Sequence, residues 1–182
     1  APPADADTRV APLRPAELGA TADAAAAVVL GLHGDGPRVA GVGHGTDRAR
    51  IGDRDLVELP AVRDAVAAAL RAAHRDVSDV GLAELAGPTL FDEILILEAA
   101  GLAGPGEGFG VYADNVWVNP SGGAAAGDCF PCSGLLRFVA AVRQLRGDGG
   151  DRQLATPPAV GLAVAGSTVA QQTATAVVLE RT

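Results

Sequence analysis

The sequence predicts an α/β fold in which helices pack on a mixed sheet. Three observations carry this. Strand-length apolar runs alternate with stretches of helical period, so from Arg38 onward the order reads βαβαβαββ. The last two strand candidates follow one another without a helix, which makes the sheet mixed. The core material is aliphatic: 48% of the 182 residues are hydrophobic and only 3% are aromatic. That balance favours packed helices and inner strands over an aromatic or disulfide framework. The length suits one domain, or one half of a larger two-half fold.

The elements follow in order. Residues 1–15 (APPADADTRVAPLRP) carry acids and prolines and read as an extended segment ahead of a domain spanning 16–182. Residues 24–32 (AAAAVVLGL) and 38–43 (RVAGVG) read as buried strands, and HGTD then turns the chain. Pro60 opens a helix whose Val62, Ala65, Val66, Ala69 and Leu70 share one face. Residues 80–85 form a third strand candidate. DEILILEAA over 92–100 reads as a helix closed by Gly101, with Asp92, Glu93 and Glu98 as solvated surface. Residues 101–110 are glycine-rich and read as a loop, and 116–118 as a short strand. A helix over 133–146 comes next, then a polar linker over 147–158. Strands at 160–164 and 173–179 close the domain.

Charge and composition exclude several function classes. The net charge is −8, and the 14 Lys plus Arg are spread without a basic run, which argues against nucleic-acid binding. No apolar run reaches the roughly 20 residues that a membrane span needs. The N-terminus lacks the basic-then-apolar pattern of a signal peptide. Two cysteines are too few for a secreted scaffold. These features together predict a cytoplasmic protein.

Candidate chemistry concentrates between Asn119 and Gly147. Cys129-Phe130-Pro131-Cys132 is a C-x-x-C at a predicted helix N-terminus, where the dipole lowers a thiol pKa. It reads as a redox pair, a reactive thiol, half of a zinc site, or two small residues filling a turn, and turn packing is the expectation. A zinc site needs two further ligands, yet no second cysteine pair exists, and His33, His44 and His74 show no ligand spacing. No metal site is therefore expected. Asp128 is a base or water-positioning candidate, or a helix cap. His44 reads as a turn residue. On the helix over 133–146, Leu135, Leu136, Phe138, Val139, Val142 and Leu145 spread too widely for one sheet to cover. A partner is expected over Leu135, Phe138, Val139 and Val142.

Five segments, in order, resemble the second half of thiolase-superfamily enzymes, from about Pro12 onward. ATADAAAAVVL resembles the "DGAAAVVL" strand that closes the family's first half. The stretch from GVGHGTDRARIGDRDL to LPAVRDAVAAAL resembles the "GDRDL…LPA" of the lipid-transfer (sterol-carrier) branch. VGLAELAGPTLFDEILILEAAGL is similar to that branch's "DVAELHDAFTxxELLxLEALGL". NPSGG followed by GLLRFVAAVRQLRG is similar to its "NPSGG…GLIR…QLRG". QQTATAVVLER resembles the family's last strand. The resemblance implies a thiolase-like C-terminal half, with Asn119, Gly122 and Gly123 in a loop that approaches an acyl thioester or a neighbouring loop, or that simply turns at positive φ.

The departures fall on the reactive positions. The "ELH" histidine is replaced by Ala86. The "GHP" loop is replaced by Gly127-Asp128-Cys129-Phe130-Pro131. The late "CxG" cysteine has no counterpart in AVGLAVAGSTVAQQ. The loop length matches the aldolase-like members, which act on side-chain acyl-CoA substrates and work with small acyl-CoA-binding partner proteins. The resemblance thus implies a subunit of an acyl-CoA carbon–carbon bond-forming or -cleaving assembly. Acyl-CoA would be its substrate, no cofactor would be bound, and the nucleophile would lie in a first-half-like chain. An autonomous enzyme using Cys129, Cys132 or Asp128 is the alternative. A scaffolding pseudoenzyme, pairing with a full thiolase-like chain or with itself, is another.

Overall fold

The computed structural model describes residues 13, 15–167 and 169–182. Four strands form one sheet in the order β1-β4-β3-β2. β1 is Arg38–Thr46, β2 Leu82–Ala86, β3 Val160–Ser167 and β4 Thr173–Glu180. β4 runs antiparallel to both β1 and β3, while β2 and β3 are parallel. The expected mixed sheet is therefore present. The parallel pair is joined through the helices α2 (Leu90–Ala99), α3 (Gly108–Asp114), α4 (Gly123–Ala126) and α5 (Ser133–Arg146).

Helix α1 (Pro60–Ala73) covers one face and buries Val62, Ala65, Val66, Ala69 and Leu70, the positions its period singles out. The approach is close because small residues meet. Gly41, Gly43 and Gly45 alternate on β1 opposite Ala61, Ala65 and Ala69. A Cβ at Gly43 would sit 2.0 Å from the Ala65 carbonyl oxygen, so only glycine fits. The larger core cluster lies on this side, with Leu85, Ile96, Leu97, Leu162, Ala176 and Val178. The opposite face carries a smaller cluster in which α5 contributes Ala141 and Leu145 against Leu82, Ala163 and Leu179.

Several expectations are corrected. Residues 24–32 form no strand, and Val29, Leu30 and Leu32 are 98%, 75% and 96% exposed. A strand needs an edge to pair with, and this segment pairs with neither β1 nor β2, the two edges of the sheet. β1 continues through His44 to Thr46, so His44 is a strand residue, with its ring near the hydroxyls of Thr175 and Thr46. Residues 116–118 reach the sheet only through a parallel bridge between Val118 and Ala83. The glycine-rich stretch gives way to α3 at Gly108, whose amide donates to Glu98 Oε1 at 2.9 Å. Tertiary contact overrides low propensity there. Leu145 is 1% exposed, so the sheet covers that part of the apolar spread on α5, whereas on the expected partner face Leu135 is 36% exposed and Phe138, Val139 and Val142 are half-buried. The expected extended segment 1–15 lies outside the described residues except for 13 and 15. Among the described residues no helix is long and apolar enough to cross a membrane.

Candidate functional site

Beneath the NPSGG loop lies a buried polar network. Glu84, on the apolar strand β2, is fully buried; Glu93 of α2 and Arg137 of α5 are nearly so. Charges this deep need partners. Glu84 accepts from the Ser121 amide at 3.0 Å and from the Ser121 hydroxyl at 2.6 Å. Arg137 Nη1 donates to the same hydroxyl at 2.6 Å and lies 3.8 Å from Glu84 Oε2. Its Nη2 donates to the Gly123 carbonyl at 2.8 Å. Arg152 donates to the Ser121 carbonyl at 2.7 Å. Ser121 is thus the relay between a buried carboxylate and two guanidinium groups.

Glu93 holds the other side of the loop. It accepts from the Ala124 amide at 2.7 Å and from the Tyr112 hydroxyl at 2.7 Å. Burial pushes its pKa up to about 7, against the opposing pull of Tyr112, Ala124, Arg137 and Asn119. Burial likewise raises Glu84, opposed by Ser121, Arg137 and Arg152. The Tyr112 hydroxyl is raised by burial and by the neighbouring Glu93 charge.

Asn119, Gly122 and Gly123 belong to this network. Asn119 Oδ1 accepts from the Leu85 amide at 2.6 Å. Gly122 and Gly123 have φ of 103° and 55°, and a Cβ at Gly123 would lie 2.6 Å from Glu93 Oε2. The glycines therefore let the loop close on Glu93. Reading Glu93 as solvated surface missed this, and Glu84, Arg137, Tyr112, Ser121 and Arg152 were not singled out. The available signal was a lone charge inside an apolar run: Glu84 in LAELA and Arg137 in LLRFVAA.

A second site opens at the carboxyl ends of the parallel strands β2 and β3, the position where open α/β sheets bind ligands. It is a cavity of about 290 Å³, with Ala86, Asp128, Phe130, Ser133, Gly166 and Gln171 in its wall. Asn119, Gly122 and Gly123 do not line it. The first turn of α5 faces it through Ser133, Gly134 and Leu135. Gln171 is 4% exposed, and its Oε1 has no hydrogen-bond partner. Asp128 Oδ1 accepts from the Phe130 amide at 2.9 Å and from the Ser133 hydroxyl. Asp128 thus orders the loop just ahead of α5, as an aspartate before a helix commonly does. Cys129 and Cys132 are joined in a disulfide, with Cα atoms 5.8 Å apart. The turn-filling expectation for the pair is replaced by a covalent bond.

Residues 18–22 strap this end of the domain. Gly19 donates to the Pro88 carbonyl at 3.0 Å, and Ala22 to the Asp128 carbonyl at 3.0 Å. Among the described residues no group of three or more His, Cys, Asp or Glu side chains is placed to hold a metal ion.

Comparison with known proteins adds the family. A solved structure titled "Ltp2-ChsH2(DUF35) aldolase" matches with a TM-score of 0.60 and 18% identity, over 80% of this chain and 39% of that one. The chain spans about two fifths of the length of that relative, and at this identity the likeness establishes the fold. No curated protein matches. The profile described as "Thiolase C-terminal domain-like" matches residues 43–181, so the chain belongs to the thiolase family and carries its C-terminal-half fold.

Proposed function

We propose that this domain supplies the C-terminal half of a thiolase-like assembly that forms or cleaves carbon–carbon bonds of acyl-CoA substrates, while a first-half-like thiolase domain supplies the nucleophile. One observation carries the reading. Ala86 and the 127–131 loop are the positions where, by resemblance, the family keeps its two histidines, and both meet, beside Gly166 and Ser167 at the end of β3, in the wall of one cavity. That wall offers the Gln171 side-chain amide and the N-terminus of α5 as donors, which suit binding a polarised thioester carbonyl, with Asp128 and Ser133 beside them. It offers no imidazole, and its neighbouring cysteines are bonded to each other.

The exposed 24–32 run supports the assembly part of the proposal. It resembles the strand that closes the family's first half, and it lies unpaired with its large apolar side chains in water. Pairing with a first-half sheet would give its backbone a ladder and cover Val29, Leu30 and Leu32. The relative's title names an aldolase with a second component, and a partner of that kind fits the same picture.

The test is an assay of the purified chain with acyl-CoA thioesters and β-hydroxyacyl-CoA. The expected result is binding without turnover, with the binding weakened at least about tenfold (~1.4 kcal/mol) by Ala86→Leu, which fills the cavity. Turnover by the isolated chain, lost in Cys129→Ser or Asp128→Asn with folding intact, would instead establish the autonomous enzyme. Binding indifferent to Ala86→Leu would remove the cavity from the proposal.

A further inference from the structure

The Cys129–Cys132 disulfide has no part in the role proposed above, and it is poorly suited to be a staple. It closes a loop of only four residues. A loop that short removes little freedom from the unfolded chain, so it stabilises less than a bridge over a long segment. The domain already buries an extensive aliphatic core without it.

Its position suits exchange. Cys132 is the N-cap residue of the 14-residue helix α5, and no side chain caps that terminus. The first-turn amides and the positive end of the dipole are therefore available to a developing thiolate. Cys129 Sγ lies 3.8 Å from the Ser133 hydroxyl. Phe130, between the cysteines, is 77% exposed with φ of 45°, and Pro131 is exposed as well. Cys132 Sγ lies 3.4 Å from the carbonyl of Ala24, in an exposed segment. The bridge thus sits on an open loop within reach of a thiol from solvent.

The loop also has anchors that do not depend on the bridge. Asp128 donates to the Ala20 carbonyl at 2.7 Å and accepts from the Ala22 amide at 3.0 Å. The Cys129 amide donates to the Ser133 hydroxyl at 3.2 Å. None of these contacts is made by a sulfur atom.

We propose that Cys129–Cys132 is a reversible thiol-exchange site that takes two electrons from a thiol reductant, either a small monothiol or a dithiol protein. The incoming thiolate attacks Cys132 Sγ. A bond forms between its sulfur and Cys132, the Cys129–Cys132 bond breaks, and Cys129 leaves as a thiolate facing the first turn of α5. A second reductant thiolate then attacks the reductant's sulfur in the mixed disulfide and releases Cys132. Both protein sulfurs take up protons. The reductant's two thiols end as a disulfide, and the protein ends as a dithiol. Asp128, whose carboxylate accepts the Ser133 proton, is the charged group at this site and competes with Cys129 for that hydroxyl. Asp128, Phe130, Pro131 and Ser133 all line the cavity, so the exchange acts on its wall.

The experiment equilibrates the native chain in mixtures of reduced and oxidised glutathione, traps free thiols with N-ethylmaleimide, and reads intact mass and circular dichroism. The expected result is interconversion of disulfide and dithiol with the fold unchanged, and a trapped glutathione that maps to Cys132. Three outcomes would overturn the proposal: a bridge that resists millimolar reduced glutathione until denaturant is added, cysteines that stay free in oxidised glutathione, or glutathione mapped to Cys129. None of these outcomes depends on acyl-CoA binding, so this inference and the proposed function can fail separately.

Discussion

Arg137 and Glu84 show why a buried ion pair must be read as a unit. Each is enclosed by protein, and each satisfies groups on the Ser121–Gly123 loop. Arg137→Met leaves Glu84 buried without its ion-pair partner, and is expected to destabilise by about 3–5 kcal/mol. Adding Glu84→Leu should recover part of that loss, because no uncompensated charge remains. Chemical denaturation of the two single variants and the double variant measures the coupling. Additive losses would mean that the two side chains act independently.

Glu93 makes a pH prediction with a definite sign. Its folded pKa of about 7 lies above the ordinary value of 4.5. Between those values the folded chain holds a proton that the unfolded chain has released. Stability from this group is therefore greatest below pH 4.5 and falls as pH rises to about 7. Each pKa unit corresponds to about 1.4 kcal/mol. Glu93→Gln has no such titration, so the stability difference should move towards the variant by a few kcal/mol across that window. A difference that is flat in pH would show that Glu93 does not carry the proton.

At the scale of elements, the contact between α1 and β1 rests on absent side chains. Gly43→Ala puts a methyl group against the Ala65 carbonyl, where it cannot fit. The helix must lift from the strand, at about 3 kcal/mol or more. A fall in the thermal midpoint would register this, whereas a neutral substitution would mean that the two elements already stand apart. The same contact explains what was readable in advance. The alanine and valine face of α1 follows a clean helical period, and β3 and β4 are apolar runs of strand length, so each could be placed from local pattern. Helices α3 and α4 could not, because their residues favour loops and their order comes from Glu98, Glu93 and Tyr112. Glu93 itself reads as helix surface until the NPSGG loop is folded over it. The cavity, too, required the fold, because Ala86, Asp128 and Gln171 are far apart in sequence.

At the scale of the molecule, the sheet is covered unequally. α1 lies along β1 and β4, whereas α5 covers chiefly β2 and β3. That arrangement leaves Val42 exposed and Leu135, Phe138, Val139 and Val142 incompletely covered. The bare 24–32 run lies beside Phe138, Val139 and Val142, across a cleft of about 400 Å³. Each large apolar side chain left in water forgoes about 1.5–3 kcal/mol of burial. On the function proposed above, these surfaces are where a covering partner would dock, either a first-half-like thiolase domain or a second copy. Phe138→Asp should abolish that association while α5 remains helical, because Phe138 is only half-buried at the margin of the smaller cluster, whose centre is Leu82, Ala141, Leu145, Ala163 and Leu179. The most direct measurement is light scattering of the wild-type 182-residue chain at micromolar concentration, with and without a first-half-like partner. The expected result is association in both cases, lost in Phe138→Asp; a stable, soluble wild-type monomer that ignores the partner would contradict it.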